Sequence, residues 1–138
     1  MTRFVVDASV VMSWCFPDEQ NPYARDVLRV LREADMVVPS VWSLEIANAL
    51  VVAERRKRLG AADIARFVTL LEGLAPAVDR HTAAQALGET LSLARKHRLS
   101  AYDAAYLELA MREGLPLATL DQDLKKAART AGVSLARA

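Results

Sequence analysis

Asp7, Glu45, Asp103 and Asp121 are the residues whose type and placement could do chemistry. Phe4-Val5-Val6 is bulky and β-branched, reads as a short buried strand, and runs straight into Asp7. Leu117-Ala118-Thr119-Leu120 repeats that pattern and ends in Asp121. Glu45 falls in the first turns of the helix that follows a second strand, and Asp103 in the first turn of a later helix. In an open parallel sheet, ligands bind outside the carboxyl ends of the strands, where these acids would gather. A carboxylate there is costly unless something positive lies against it. None of the four has a basic residue beside it in sequence. If they converge, their repulsion demands a cation, and oxygen-only ligation selects a hard one, Mg²⁺ or Mn²⁺. Such an ion keeps several waters, activates one, and neutralises charge on a phosphodiester, which points to metal-assisted phosphoryl transfer.

Each acid also has a plainer reading. Asp103 reads equally as the closing acid of a capping box opened by Ser100, and Glu45 as a charge favoured by a helix N-terminus. Either Asp121 or Asp123 suits the cap of the last helix. Asp7 is harder to dismiss, because Ala8-Ser9-Val10-Val11 does not resemble a surface turn.

The elements that must position these residues alternate. After the opening strand, Trp14-Cys15-Phe16-Pro17 reads as an apolar loop. The spacing predicts a helix over 22–34, a strand over 36–38, and a helix from Pro39 to about Arg58 with Ser40 as its cap. Leu44, Ala47, Leu50, Val51 and Ala53 would form that helix's apolar side, and Gly60 suits its stop. A further amphipathic helix is expected over 62–74 and a small strand over 77–79. A long alanine-rich helix over 82–96 would be capped by Thr82, with Leu87, Leu91 and Ala94 on one side. The helix opened by Ser100 runs to about Arg112 and carries small residues for close packing; Gly114 ends it. A last helix over 123–131 and a short strand over 133–135 close the pattern. Strands alternating with helices mean an α/β sandwich about a mostly parallel sheet, with a helical excess.

Composition bounds the rest. With 138 residues, 53% apolar and 25% charged, the chain has the size and make-up of one soluble globular domain, spanning 1–138. A net charge of +1 announces no nucleic-acid field for the whole molecule, though it leaves local faces open. One cysteine excludes an internal disulfide, and two histidines give little support to a histidine metal site. The apolar runs are too short and too interrupted for a membrane span or signal peptide, so a reducing cytoplasm is the simplest setting.

Four stretches in order carry a resemblance. They are Val5-Val6-Asp7-Ala8-Ser9-Val10; Pro39-Ser40-Val41-Trp42-Ser43-Leu44-Glu45-Ile46-Ala47-Asn48-Ala49-Leu50; Leu99-Ser100-Ala101-Tyr102-Asp103-Ala104-Ala105-Tyr106; and Leu117-Ala118-Thr119-Leu120-Asp121. In these the chain resembles the PIN-domain ribonucleases, and most of all the VapC-type toxins of bacterial toxin–antitoxin pairs. The resemblance implies a three-layer α/β/α PIN fold and an endoribonuclease that hydrolyses RNA with an activated water attacking in line. It makes Asp7, Glu45, Asp103 and Asp121 an acidic quartet for Mg²⁺ or Mn²⁺, with Glu45 as ligand or base. Ser9 and Thr119 become polar supports, Asn48 an orienting residue one helical turn from Glu45, and Asp123 an extra acid. It also implies a homodimer neutralised by a cognate VapB-type antitoxin.

Two other functions compete: a housekeeping PIN nuclease for RNA processing, and a receiver-type phospho-acceptor domain. The receiver reading needs a paired acid near the first strand and a late strand-end Lys, both lacking here. Arg55-Arg56-Lys57-Arg58 and Lys96-His97-Arg98 could track an RNA backbone, or simply complement helix C-termini. Trp14, Phe16 and Trp42 could stack bases or fill core; Cys15 reads as a small buried apolar group. The apolar surface over 64–71, with the face of the helix beginning at Pro22, is expected to receive a partner helix or a second copy of the chain.

Overall fold

The computed structural model describes residues 2–137. Four strands, β1 (Arg3–Val6), β2 (Asp35–Val38), β3 (Ala77–Val78) and β4 (Leu117–Ala118), make an all-parallel sheet in the order β3-β2-β1-β4. Phe4, Val5, Val6, Met36, Val37, Val38, Leu117 and Ala118 are all buried, the unbroken apolar pattern of strands covered on both faces. Both residues of β3 are exposed, as befits an edge.

The helices are α1 (Ala8–Ser13), α2 (Pro22–Val30), α3 (Trp42–Arg55), α4 (Ala61–Leu74), α5 (Thr82–Gln85), α6 (Leu91–His97), α7 (Ala101–Glu113) and α8 (Gln122–Thr130), with a π-helical turn (Ala86–Thr90) between α5 and α6. Parallel crossovers are right-handed. The chain steps one way from β1 to β2 to β3 and then returns past β1 to β4, so the two sets of crossover helices fall on opposite faces. The contacts agree: α1 packs with α2 and α3, while α7 packs with α6, α8, β1 and β4. Three layers result, as the family resemblance implies. Every residue of α7 from Ala104 to Ala110 is buried, so this stretch of the helix is enclosed all round. Its alanines allow the close approach, and Gly114 at φ 65° stops it in the left-handed conformation that glycine adopts freely.

Several local expectations need correction. Residues 8–13 form α1, although Val10 and Val11 favour a strand. The helix expected over 22–34 ends at Val30, with Asn21 capping it by accepting from the Ala24 N–H at 3.0 Å. Val41, not Ser40, holds the N-cap of α3, and the Ser40 N–H instead donates to Thr82 Oγ1 at 2.9 Å. Thr82 is therefore a tie between loops rather than a cap, and its hydroxyl donates to Asp79 Oδ2. The buried side of α3 is Trp42, Ile46, Leu50 and Ala53, which leaves Leu44 74% exposed and Val51 exposed. Trp42 claims the core and turns the stripe away from the expected face. The helix over 82–96 is interrupted because the π turn takes in an extra residue and shifts the facing set. Thr90, Leu93 and Ala94 point inward, and Leu87 and Leu91 outward. The closing strand shrinks to one parallel bridge, Leu117 to Leu135.

Candidate active site

Strand order reverses direction at β1, which has β2 on one side and β4 on the other. The crevice above such a point is where an open parallel sheet receives ligands. Asp7 leaves β1 there as the N-cap of α1, and Asp121 leaves the β4 segment as the N-cap of α8. The sequence pattern of two strands ending in acids thus becomes two acids on neighbouring strand ends.

Asp7 is only 3% exposed, and hydroxyls hold it. Ser9 Oγ and Thr119 Oγ1 each donate to Asp7 Oδ2 at 2.7 Å. Both hydroxyls accept in turn: the Leu120 N–H donates to Ser9 Oγ and the Asp121 N–H to Thr119 Oγ1, each at 3.0 Å. Two short polar side chains therefore tie the end of β1 to the turn after β4 and aim one face of the Asp7 carboxylate. Asp121 Oδ1 accepts from the Leu124 N–H at 2.9 Å. It is the cap of α8, which decides between Asp121 and Asp123, and its Oδ2 accepts no hydrogen bond among the described residues.

Glu45 lies in the first turn of α3. Its Oε1 accepts a 2.7 Å hydrogen bond from Tyr106 OH, and Tyr106 is fully buried in α7. Ser100 Oγ caps α7 by accepting from the Asp103 N–H at 3.0 Å. Thus Asp103 is one helical turn before Tyr106, and α7 presents both toward Asp7 and Glu45. Tyr106 is the residue that sequence reasoning passed over. It stands in the quoted Ser100–Tyr106 stretch, three residues after an acid and so on the same helical face, which was the available signal.

The carboxyls feel one another. Burial raises Asp7 above the usual carboxylate range; Ser9 and Thr119 oppose the rise and the charge of Asp121 adds to it. Glu45 is raised by burial and by Asp7 and Asp103, against the Tyr106 hydrogen bond. Asp103 is pushed up to about 6 by burial, then by Asp7 and Asp121, with Asp123 adding to the effect. Among the described residues no Lys or Arg forms an ion pair with any of the four. The donor set suits a divalent cation: oxygen atoms only, uncompensated negative charge, and carboxylate oxygens to spare. Among the described residues no three acidic, His or Cys side chains are gathered closely enough to hold a metal ion by themselves.

The remaining candidates fall around this centre. Asn48 is exposed one turn beyond Glu45 and makes no side-chain hydrogen bond among the described residues. Asp123 is exposed on α8. Trp42 is core, its Nε1 buried without a partner, and Trp14 Nε1 donates to the Ala24 carbonyl at 2.7 Å. The Arg58 guanidinium lies 4.0 Å over the Phe16 ring and pairs with Asp18 and Glu19, so this part of the basic run serves packing. Cys15 is half-buried rather than fully enclosed. His97 is half-buried as well, with its Nε2 buried and without a hydrogen-bond partner among the described residues.

Comparison with known proteins converges on one family. The PIN domain profile matches residues 4–130. Ribonuclease VapC3 of Pyrobaculum aerophilum is 31% identical over 122 residues, covering 88% of this chain and 92% of that protein. The crystal structure of VapBC2 from Rickettsia felis bound to a promoter DNA fragment superposes with a TM-score of 0.69, at 12% identity and 98% coverage of both chains. FitAcB from Neisseria gonorrhoeae superposes with a TM-score of 0.62, at 19% identity, covering 96% of this chain and 95% of that one. The match across nearly the whole sheet-and-helix pattern, with the acids at its rim, shows that the chain belongs to the PIN-domain family, in its VapC-type branch.

Proposed function

We propose that this chain is a metal-dependent endoribonuclease that acts as the toxin of a toxin–antitoxin pair. The observation that carries this reading is a rim of four carboxylates with no cation of its own, in a chain 31% identical to a ribonuclease. Asp7 would hold Mg²⁺ or Mn²⁺ together with Asp103 and Asp121, directly or through water, and Glu45 would assist. Such an ion supplies a Lewis acid and a more acidic water at neutral pH. The chain's own part is to orient and to move a proton. Ser9 and Thr119 fix Asp7, and Tyr106 fixes Glu45, leaving Oε2 to accept the proton of the attacking water.

Partners follow from the surface. Leu44 and Val51 on α3 and Val68 and Leu70 on α4 are exposed apolar side chains, more than a small free domain needs. We assign this surface to a second copy of the chain and the rim to a VapB-type antitoxin segment. The α2 face is largely spent within the fold, since Ala24 and Val27 are buried. Light scattering over a concentration series is expected to give a dimer, and Leu44→Lys a monomer; a wild-type chain that stays monomeric throughout overturns the assignment. Among the described residues no helix is long and apolar enough to cross a membrane, and we place the protein in the cytoplasm.

The nuclease itself is tested by cutting labelled RNA with Mg²⁺ or Mn²⁺ and with EDTA, beside Asp7→Asn. Cutting that needs the metal and disappears in Asp7→Asn is the expected result. Full cutting by Asp7→Asn would remove Asp7 from the site.

A further inference from the structure

A cleft of about 380 Å³ opens between the end of α6 and α8, lined by Lys96, His97, Arg98, Asp123, Lys126 and Thr130. Its cations come from separate elements. Lys96 lies in the last turn of α6, Arg98 is the left-handed residue that follows the helix at φ 54°, and Lys126 lies in the middle of α8. All three are exposed, and none is ion-paired among the described residues. For a chain of net charge +1 this is a local concentration of positive charge.

A plainer account is that cations at a helix C-terminus complement its dipole. It covers Lys96 and Arg98. It does not cover Lys126, which faces the same cleft from mid-helix. The basic run on the other side of the sequence differs, because Arg58 is already engaged by Asp18, Glu19 and Phe16.

Two chain segments connect the cleft to the acidic rim. Arg98 is separated from Asp103 only by the link that caps α7 through Ser100. Asp121 caps α8, and Lys126 follows five residues later, about 7.5 Å along the axis. Asp123 lies on the cleft wall, and its charge reaches Asp103. A strand whose scissile phosphate lies over the acids would therefore lay its neighbouring phosphates along this wall.

We propose that the cleft between α6 and α8 is a phosphate-binding track for single-stranded RNA, in which Lys96, Arg98 and Lys126 neutralise the backbone beside the scissile bond. The inference rests on the nuclease reading above and adds to it the side from which substrate is held. The track reads charge rather than sequence, so its contribution is strongly salt-dependent.

The test is binding of a fluorescent single-stranded RNA to the Asp7→Asn chain over a salt series, with and without Lys96→Ala, Arg98→Ala and Lys126→Ala together. Each lost phosphate contact lowers the slope of log affinity against log salt by about 0.7, so the triple variant is expected to lose about 2 in slope and about tenfold or more in affinity at low salt. On the chain with Asp7 intact, KM rises in proportion and kcat stays within about twofold. Removing Arg55, Arg56 and Lys57 instead is the control for net charge and is expected to leave the slope unchanged. An unchanged slope in the cleft variant, an equal loss in the control, or no RNA binding by the parent at low salt overturns the track. The nuclease reading fails separately, on absence of metal-dependent cutting by the intact chain.

Discussion

At the rim of β1, carboxylates are met by hydroxyls, a phenol and backbone N–H groups and, among the described residues, by no cation. After β3 the same fold handles a second group of buried acids differently. The Arg112 guanidinium spans Asp79 and Glu108, with Nη2 at 2.7 Å from Asp79 Oδ2 and Nε at 2.8 Å from Glu108 Oε2. The side chains of Asp79 and Glu108 are 5% and 6% exposed. Burial pushes the Asp79 carboxyl up, but Arg112, Thr82 and the His81 N–H together hold it below the usual range. At Asp7, Glu45 and Asp103 burial and like charge win. One cluster is complete and serves the fold. The other is left short of positive charge among the described residues, the pattern of a candidate functional site rather than of a structural ion pair.

The comparison breaks first at Arg112. Arg112→Leu leaves two buried carboxylates facing each other and is expected to cost about 3–5 kcal/mol in chemical denaturation. A loss below about 1 kcal/mol would mean that water already shares the cluster. Next comes the same substitution at two buried aspartates, with opposite signs. Asp79→Asn gives up a charge-assisted pair and is expected to lose about 1–3 kcal/mol. Asp7→Asn removes a desolvated, repelled charge without changing shape, and the metal-free protein is expected to gain about 1 kcal/mol at neutral pH. Equal destabilisation by both would show that Asp7 is a structural acid like Asp79.

How much of this contrast was legible beforehand depends on range. Asp7 and Asp121 declare themselves because a strand and its terminal acid are local, and Ser100 caps α7 as its spacing requires. The Asp79–Arg112 pair joins positions 33 residues apart, and nothing local to either announces it. Tyr106 and Glu45 are 61 apart, yet both lie in stretches that the family resemblance picks out. The misread faces have a common cause. Trp42 and the π turn each rotate a helix relative to its neighbours, and periodicity reports the width of an apolar stripe but not which of two flanking stripes packing selects. Val10 and Val11 favour strand alone, and burial at 0% exposure in the core overrides that preference in α1.

The two clusters also answer pH in opposite directions. Asp103 titrates at about 6 in the folded chain against 3.8 without perturbation. Between those values the folded state holds a proton that the unfolded state has lost, so stability falls as pH rises from about 4 to about 6. Asp79 is lowered, so its contribution is present above about 4 and lost as pH falls below it. Thermal melts of the metal-free protein against Asp103→Asn are expected to diverge by about 1–2 kcal/mol across pH 4–6, after allowance for solvent screening. Parallel profiles would mean that the acids do not feel one another.

Tyr106→Phe gives the smallest effect and the sharpest question, because it removes one oxygen and leaves the ring in place. The Glu45 carboxylate loses its 2.7 Å donor, but it is only half-buried, so water can take over part of the bond. The net cost is about 1 kcal/mol, or about 3–4 °C in Tm for a chain of this size. Arg112 restrains its acids by charge from several directions, whereas Glu45 depends on this single hydroxyl for its orientation. If Glu45 takes the proton of the attacking water, loosening it is expected to lower kcat about tenfold with KM unchanged. A melt lowered by those few degrees with kcat unmoved would confine Tyr106 to packing.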